Sequence, residues 1–97
     1  MTLKDAIVNG QALLIDVRRS EEFKEKHIKG ALNIPIDQIE AGQLDLDKSQ
    51  KIYLHCMLGP RADRAEAALK EAGYTDVHNL RTLAAVEKLG LETESQE

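Results

Sequence analysis

Short apolar runs alternate with helix-forming segments along this chain, and few folds accommodate that alternation. Residues 31–34, stopped by Pro35, 51–55 and 77–80 read as short strands, and residues 12–17 form a continuous apolar run broken only by Asp16. Continuous apolarity of this kind suits strands covered on both faces. Helical segments lie between and around them. Thr2 is placed to cap a helix running to about Asn9, and Ser20, with Glu21 and Glu22 behind it, to cap a second running to about Lys26. Residues 36–41 suit a helical turn, with Ile36 and Ile39 facing inward. Ala62, Ala65, Leu69 and Ala72 stripe one face of a helix closed by Gly73, and Thr82 caps a last helix to about Lys88. The alternation predicts a small three-layer α/β fold: a mainly parallel central sheet of about four to five strands, with helices on both faces. One domain is expected over residues 1–91, followed by a mobile acidic tail over 92–97.

Composition removes several function classes. The net charge is −4, and lysines and arginines are interleaved with acids, so no nucleic-acid surface is indicated. No window approaches the roughly 20 apolar residues of a membrane span, so no membrane partner is expected. A single cysteine, Cys56, forms no internal disulfide, and a reducing cytoplasm is the expected compartment. Three scattered histidines with that one cysteine make no metal-ligand spacing, so neither a metal nor a cofactor is expected.

Cys56 stands where the strand at 51–55 gives way to the helix at 62–72. In parallel α/β sheets, ligands bind at the carboxyl ends of strands. Free backbone N–H groups and the positive end of a helix dipole converge there; both favour thiolate over thiol, and the thiolate is the nucleophile. Gly59 permits the positive φ that a ring of inward-pointing N–H groups requires. Arg61 puts a cation at a helix start, where acids are the usual choice, which makes sense if an anion occupies the loop. Arg64, three residues on, is placed to overlook the same mouth. Pro60 has no N–H and removes one donor from the cradle. Met57 and Leu58 give the mouth an apolar rim.

Cys56-Met57-Leu58-Gly59-Pro60-Arg61 is a six-residue Cys-x-x-x-x-Arg cradle. With Leu14-Ile15-Asp16-Val17-Arg18, Glu22-Phe23, His27 to Pro35 and Gly73-Tyr74-Thr75-Asp76-Val77, the chain resembles the rhodanese-like sulfurtransferases, specifically their small single-domain members. The resemblance covers roughly residues 12–80. It implies that Cys56 is the nucleophile and takes the outer sulfur of a small anionic donor, such as thiosulfate or polysulfide, to form a persulfide. A thiophilic acceptor (cyanide, a thiol or a sulfur-carrier protein) then removes that sulfur. The resemblance also implies that the backbone N–H groups of Met57, Leu58, Gly59 and Arg61 stabilise the persulfide, that Arg61 attracts the donor, and that Asp16 and Arg18 are structural supports. No cofactor or metal is implied.

Two other readings stand beside it. Related phosphatases on this fold use a cradle one residue longer, so phosphoester or arsenate chemistry is the alternative enzyme. A non-enzymatic module that docks or senses sulfur species is the other. Arg81, beyond the last strand, is open between an extra anion contact and an ordinary surface side chain. His55 alternates with Cys56 along its strand, points to the other face and is a poor general base. His27 is expected to bond backbone in a turn.

Overall fold

A computed structural model describes residues 2–96; Met1 and Glu97, included in the expected domain and tail, lie outside the described residues. The elements, in chain order, are α1 (Leu3–Val8), β1 (Leu13–Asp16), α2 (Ser20–Glu25), β2 (His27–Ile28), β3 (Leu32–Asn33), α3 (Ile36–Glu40), β4 (Ile52–Cys56), α4 (Pro60–Glu71), β5 (Val77–Thr82), α5 (Leu83–Glu87) and β6 (Thr93–Glu94). Four strands form one parallel sheet in the order β3-β1-β4-β5. The expected α/β architecture, with a parallel sheet between helices, is what forms.

Alternation along each strand sorts side chains to the two faces. Ile15, Ile52, Leu54 and Cys56 face α3 and α4, where they pack with Ile36, Ile39, Ala62, Ala65 and Leu69. Leu14 and Tyr53 face the other way, packing with Ile7 of α1, Ile28 of β2 and Leu83 and Val86 of α5. Small alanines on α4 let the helix lie close to the sheet, and all three of Cys56, Ala62 and Ala65 are buried.

Element bounds differ from the sequence reading where tertiary contacts decide. α4 begins at Pro60, two residues early, because proline's fixed φ suits the first helical position and its missing N–H costs the helix nothing there. The entry to α2 is capped not by Ser20 but by Glu22, whose carboxylate accepts the Arg19 N–H at 3.3 Å. Two two-residue strands, β2 and β6, pair antiparallel, with His27 opposite Glu94 and Ile28 opposite Thr93. Within the segment expected to be a mobile tail, the described residues 92–96 are tied down through Glu94, and Gln96 N donates to Lys24 O at 2.8 Å. His27 bonds backbone as expected, its Nδ1 lying 2.6 Å from Phe23 O, and its ring stacks on Phe23.

Two ion pairs set the carboxyl edge of the sheet. Asp16 and Arg18 are both buried. The Asp16 carboxylate accepts from the Arg18 amide at 3.0 Å, from Nε at 3.0 and 3.1 Å, and from Nη2 at 2.7 Å. Arg18 Nη2 also donates to Lys26 O at 2.6 Å, fixing the end of α2. Asn33 Nδ2 donates to the carbonyls of Asp16 and Arg18, stitching β3 to the same corner. Second, Arg61 clasps Glu22 with two parallel hydrogen bonds of 2.6 and 3.0 Å, joining α2 to the first turn of α4. The Arg61 guanidinium, foremost among several causes, holds the Glu22 carboxyl down from its ordinary 4.5 to about 2.

Removing one partner of the buried pair strands the other charge without water. Arg18→Met is expected to cost about 3–5 kcal/mol in urea unfolding, a large share of a small domain's stability. A loss below about 1 kcal/mol would show that the pair does not organise this corner. The Glu22–Arg61 clasp has a pH signature. A carboxyl depressed on folding contributes its full stability above the unfolded value of 4.5, and that contribution drains away as pH falls from there towards 2. Wild type is expected to lose more unfolding free energy between pH 7 and pH 3 than Glu22→Gln; equal losses would contradict the clasp.

Candidate active site

Cys56 is the last residue of β4 rather than the first after it, and it is 1% exposed. The chain then turns sharply into α4. Gly59 makes this turn possible with a φ of 119°, a region where a side chain would be strained. The turn folds two backbone amides back onto the sulfur. Gly59 N donates to Cys56 Sγ at 3.0 Å and Ala62 N at 3.4 Å. Both amides belong to the α4 N-terminus, where N–H groups lack helical partners. Such donors complement negative charge on the sulfur and are fixed before any reaction begins.

The structure brings the other expected residues to the mouth in different roles. Met57 and Leu58 are 41% and 78% exposed, forming an apolar rim rather than part of the inner cradle. Pro60 is the first residue of α4. Among the described residues, the amides of Met57, Leu58 and Arg61 make no hydrogen bond to the sulfur in this geometry. The Arg61 side chain lines the mouth but is occupied by Glu22. Arg64 does not overlook the mouth; its guanidinium pairs with Glu40 of α3. A depression of about 270 Å³ opens over the sulfur, lined by Glu22, Cys56, Met57, Leu58, Pro60 and Arg61. A neighbouring groove of about 390 Å³ shares Glu22, Met57 and Leu58 and continues to Arg18, Lys26, Thr82 and Leu83.

Asp16 and Arg18 sit beneath this edge with no hydrogen bond to the sulfur, in the buried network described above. His55 is fully buried on the opposite face. Its Nδ1 lies 2.9 Å from Cys56 O, so the neutral ring donates there. Its Nε2 lies 3.8 Å from Asp16 Oδ2 and has no hydrogen-bond partner. Burial, the largest influence, pushes the His55 pKa down despite the Cys56 carbonyl and Asp16, which pull it up. It braces the Cys56 backbone and does not reach the thiol. No group of His, Cys, Asp and Glu suited to hold a metal ion occurs among the described residues. Among the described residues no helix is long and apolar enough to cross a membrane.

Ala62 escaped the sequence reading, because it contributes only a backbone amide, which leaves no mark on residue type. Arg81, left open there, reaches the site through an irregularity in β5: pairing with β4 slips between Leu54 opposite Asn79 and His55 opposite Arg81, leaving Leu80 as an extra residue. The bulge puts Arg81 at a φ of 67°, a conformation costing an L-residue of order 1 kcal/mol. Its carbonyl then faces the sulfur, with Cys56 Sγ at 3.5 Å.

Comparisons with known proteins place the fold in a family. The description "Rhodanese-like domain" matches residues 2–82. The chain is 38% identical over 71 residues to the uncharacterized protein YqhL of Bacillus subtilis, spanning 73% of this chain and 56% of that protein. It is 34% identical over 67 residues to the thiosulfate sulfurtransferase PspE of Escherichia coli K12, spanning 67% of this chain and 64% of that one. It thus spans less than two thirds of either relative. Among solved structures, a human single-domain sulfurtransferase, TSTD1, superposes with a TM-score of 0.75 at 28% identity, covering 93% of this chain and 91% of the other. With the fold, the cysteine loop and a match over most of its length in agreement, this chain belongs to the rhodanese-like domain family.

Proposed function

We propose that this protein is a sulfurtransferase that carries sulfane sulfur on Cys56 from thiosulfate, or another persulfide or polysulfide donor, to a thiophilic acceptor. The observation that carries the reading is the pair of amides, Gly59 N and Ala62 N, aimed at Sγ from the start of α4. The relative PspE is named a thiosulfate sulfurtransferase, which supports the same donor here.

The chemistry follows in two balanced steps. The Cys56 thiolate attacks the outer sulfur of thiosulfate; a new S–S bond forms, the bond to the sulfonate sulfur breaks, and sulfite departs with the electron pair. The product is a Cys56 persulfide whose terminal sulfur carries the negative charge. An acceptor such as cyanide attacks that terminal sulfur, thiocyanate forms, and the Cys56 thiolate returns. This is covalent catalysis that splits one transfer into two displacements. Amides from Gly59 and Ala62, already in place, stabilise charge on the bound sulfur without reorganisation. A cradle ending at Arg61 is sized for a sulfur atom, one residue shorter than the phosphate-holding loops on this fold. Arg61 holds Glu22 and keeps the first turn of α4, and so both amides, in position. Met57 and Leu58 offer the rim to the carbon portion of an organic persulfide or a protein-borne acceptor. Neither a metal nor an organic cofactor takes part in this scheme, and it suits a reducing cytoplasm.

Incubation with thiosulfate is expected to add about 32 Da, one sulfur atom, to the intact protein, cyanide to remove it, and Cys56→Ser to take up none. A wild-type protein that gains no sulfur mass from thiosulfate or from polysulfide contradicts the proposal. Release of phosphate from a phosphoester, lost in Cys56→Ser, would replace it.

A further inference from the structure

Arg81 is the one non-glycine residue with positive φ among the described residues. Arginine gains nothing from that backbone conformation, which glycine would take without strain. The surroundings hold it there. Asn79 Oδ1 accepts the Arg81 amide at 2.8 Å. The Asp63 carboxylate accepts from the guanidinium, Nε to Oδ1 at 3.1 Å and Nη2 to Oδ2 at 2.9 Å. The carbonyl faces Cys56 Sγ. The guanidinium lies over Gly59, the residue whose amide holds the sulfur: a Cβ built on Gly59 would stand 2.7 Å from Arg81 Nη2. A strained backbone thus places a positive charge on the rim of the sulfur cradle. Strain retained beside a nucleophile is an argument for function at that side chain.

Arg61 lines the depression over Cys56 and Arg81 stands beside it, over Gly59, and burial decides which is available to a substrate. The Arg61–Glu22 clasp is 30% and 24% exposed. The Arg81–Asp63 pair is 56% and 50% exposed. Water screens exposed pairs, so they contribute little and exchange partners readily. An incoming anion displaces Asp63 from Arg81 more easily than Glu22 from Arg61, and the exchange leaves α4 tied to α2. We infer that Arg81, rather than Arg61, receives the anionic group of the incoming donor at Cys56, with Asp63 as the resting partner it leaves. The inference rests on the sulfur-transfer reading and deepens it: the favoured donors are those bearing an oxyanion beside the transferred sulfur, the thiosulfate and thiosulfonate class.

Because Cys56 is the chain's single cysteine, thiol reagents report on this site alone. Methanethiosulfonates mimic the donor class: the thiolate attacks the sulfenyl sulfur, a mixed disulfide forms, and methanesulfinate leaves. The test compares the rates of the anionic 2-sulfonatoethyl and the cationic 2-(trimethylammonio)ethyl reagents. Arg81→Gly is expected to lower the anionic-to-cationic rate ratio about fivefold to tenfold, the effect of one charge several ångströms away in a partly screened medium. Arg81→Lys is expected to stay within about twofold of wild type, since it keeps the charge. Asp63→Asn, which frees the guanidinium, is expected to raise the ratio. Arg81→Gly also relieves the backbone strain, so it should melt no lower than wild type, and its KM for thiosulfate should rise more than its kcat falls. A purely structural role for Arg81 would not move the charge ratio. An Arg81→Gly protein that stays folded and keeps the wild-type ratio overturns the inference, even if wild type takes up sulfur. A ratio that falls while wild type never takes up sulfur from any donor overturns the sulfur-transfer reading and leaves Arg81 as the anion receiver at Cys56.

Discussion

The buried pairing of Asp16 with Arg18 is the constraint on which the rest of the site depends. Two charges cannot be removed from water unless every polar atom finds a partner, and here nearly all do. Asp16 accepts from the Arg18 amide and guanidinium; Arg18 reaches on to Lys26 O; Asn33 binds both residues' carbonyls. That network fixes where α2 lies against the carboxyl ends of β1 and β3. The position of α2 sets Glu22, Glu22 holds Arg61, and Arg61 sits in the first turn of α4. The amides of Gly59 and Ala62 inherit their aim from that turn. The geometry around a sulfur atom is thus traceable, contact by contact, to an ion pair on a neighbouring strand.

The mouth of the site is less cationic than its sequence implies. Arg61 faces Glu22, Arg64 faces Glu40 and Arg81 faces Asp63. Negative charge on the sulfur is left to backbone amides, which approach closely, carry no counter-ion and cannot swing away. The arginines divide into those that hold helices in place and one, the most exposed pair beside the cradle, that is free to exchange. Around them Met57 and Leu58 keep an apolar rim. Under the proposed function, such a surface takes small anions through directed contacts rather than through a broad positive field.

What was legible in the sequence was local. The strand into Cys56, the helix from the alanine stripe and the turn at Gly59 each follow from apolar periodicity or backbone freedom within a few residues. The parallel sheet followed from the alternation of those segments. What was not legible depends on distance along the chain or on backbone atoms. Glu22 and Arg61 are 39 residues apart, and nothing in either segment announces the other. Ala62 acts through an amide common to every residue but proline. The Leu80 bulge, which turns Arg81 towards the sulfur, arises from pairing with β4 rather than from any turn-forming residue. The strands β2 and β6 are two residues each, too short for a period, and they exist only because the chain's end returns to residue 27.

The central claim is that the α4 amides hold a sulfur atom on Cys56, and amide nuclear magnetic resonance reads those hydrogen bonds directly. Spectra of the 15N-labelled protein before and after treatment with polysulfide should show the largest amide proton shifts within 57–62, with Gly59 and Ala62 foremost, and signals from the α1 and α5 face nearly still. A persulfidated protein whose Gly59 and Ala62 signals do not move would contradict the account.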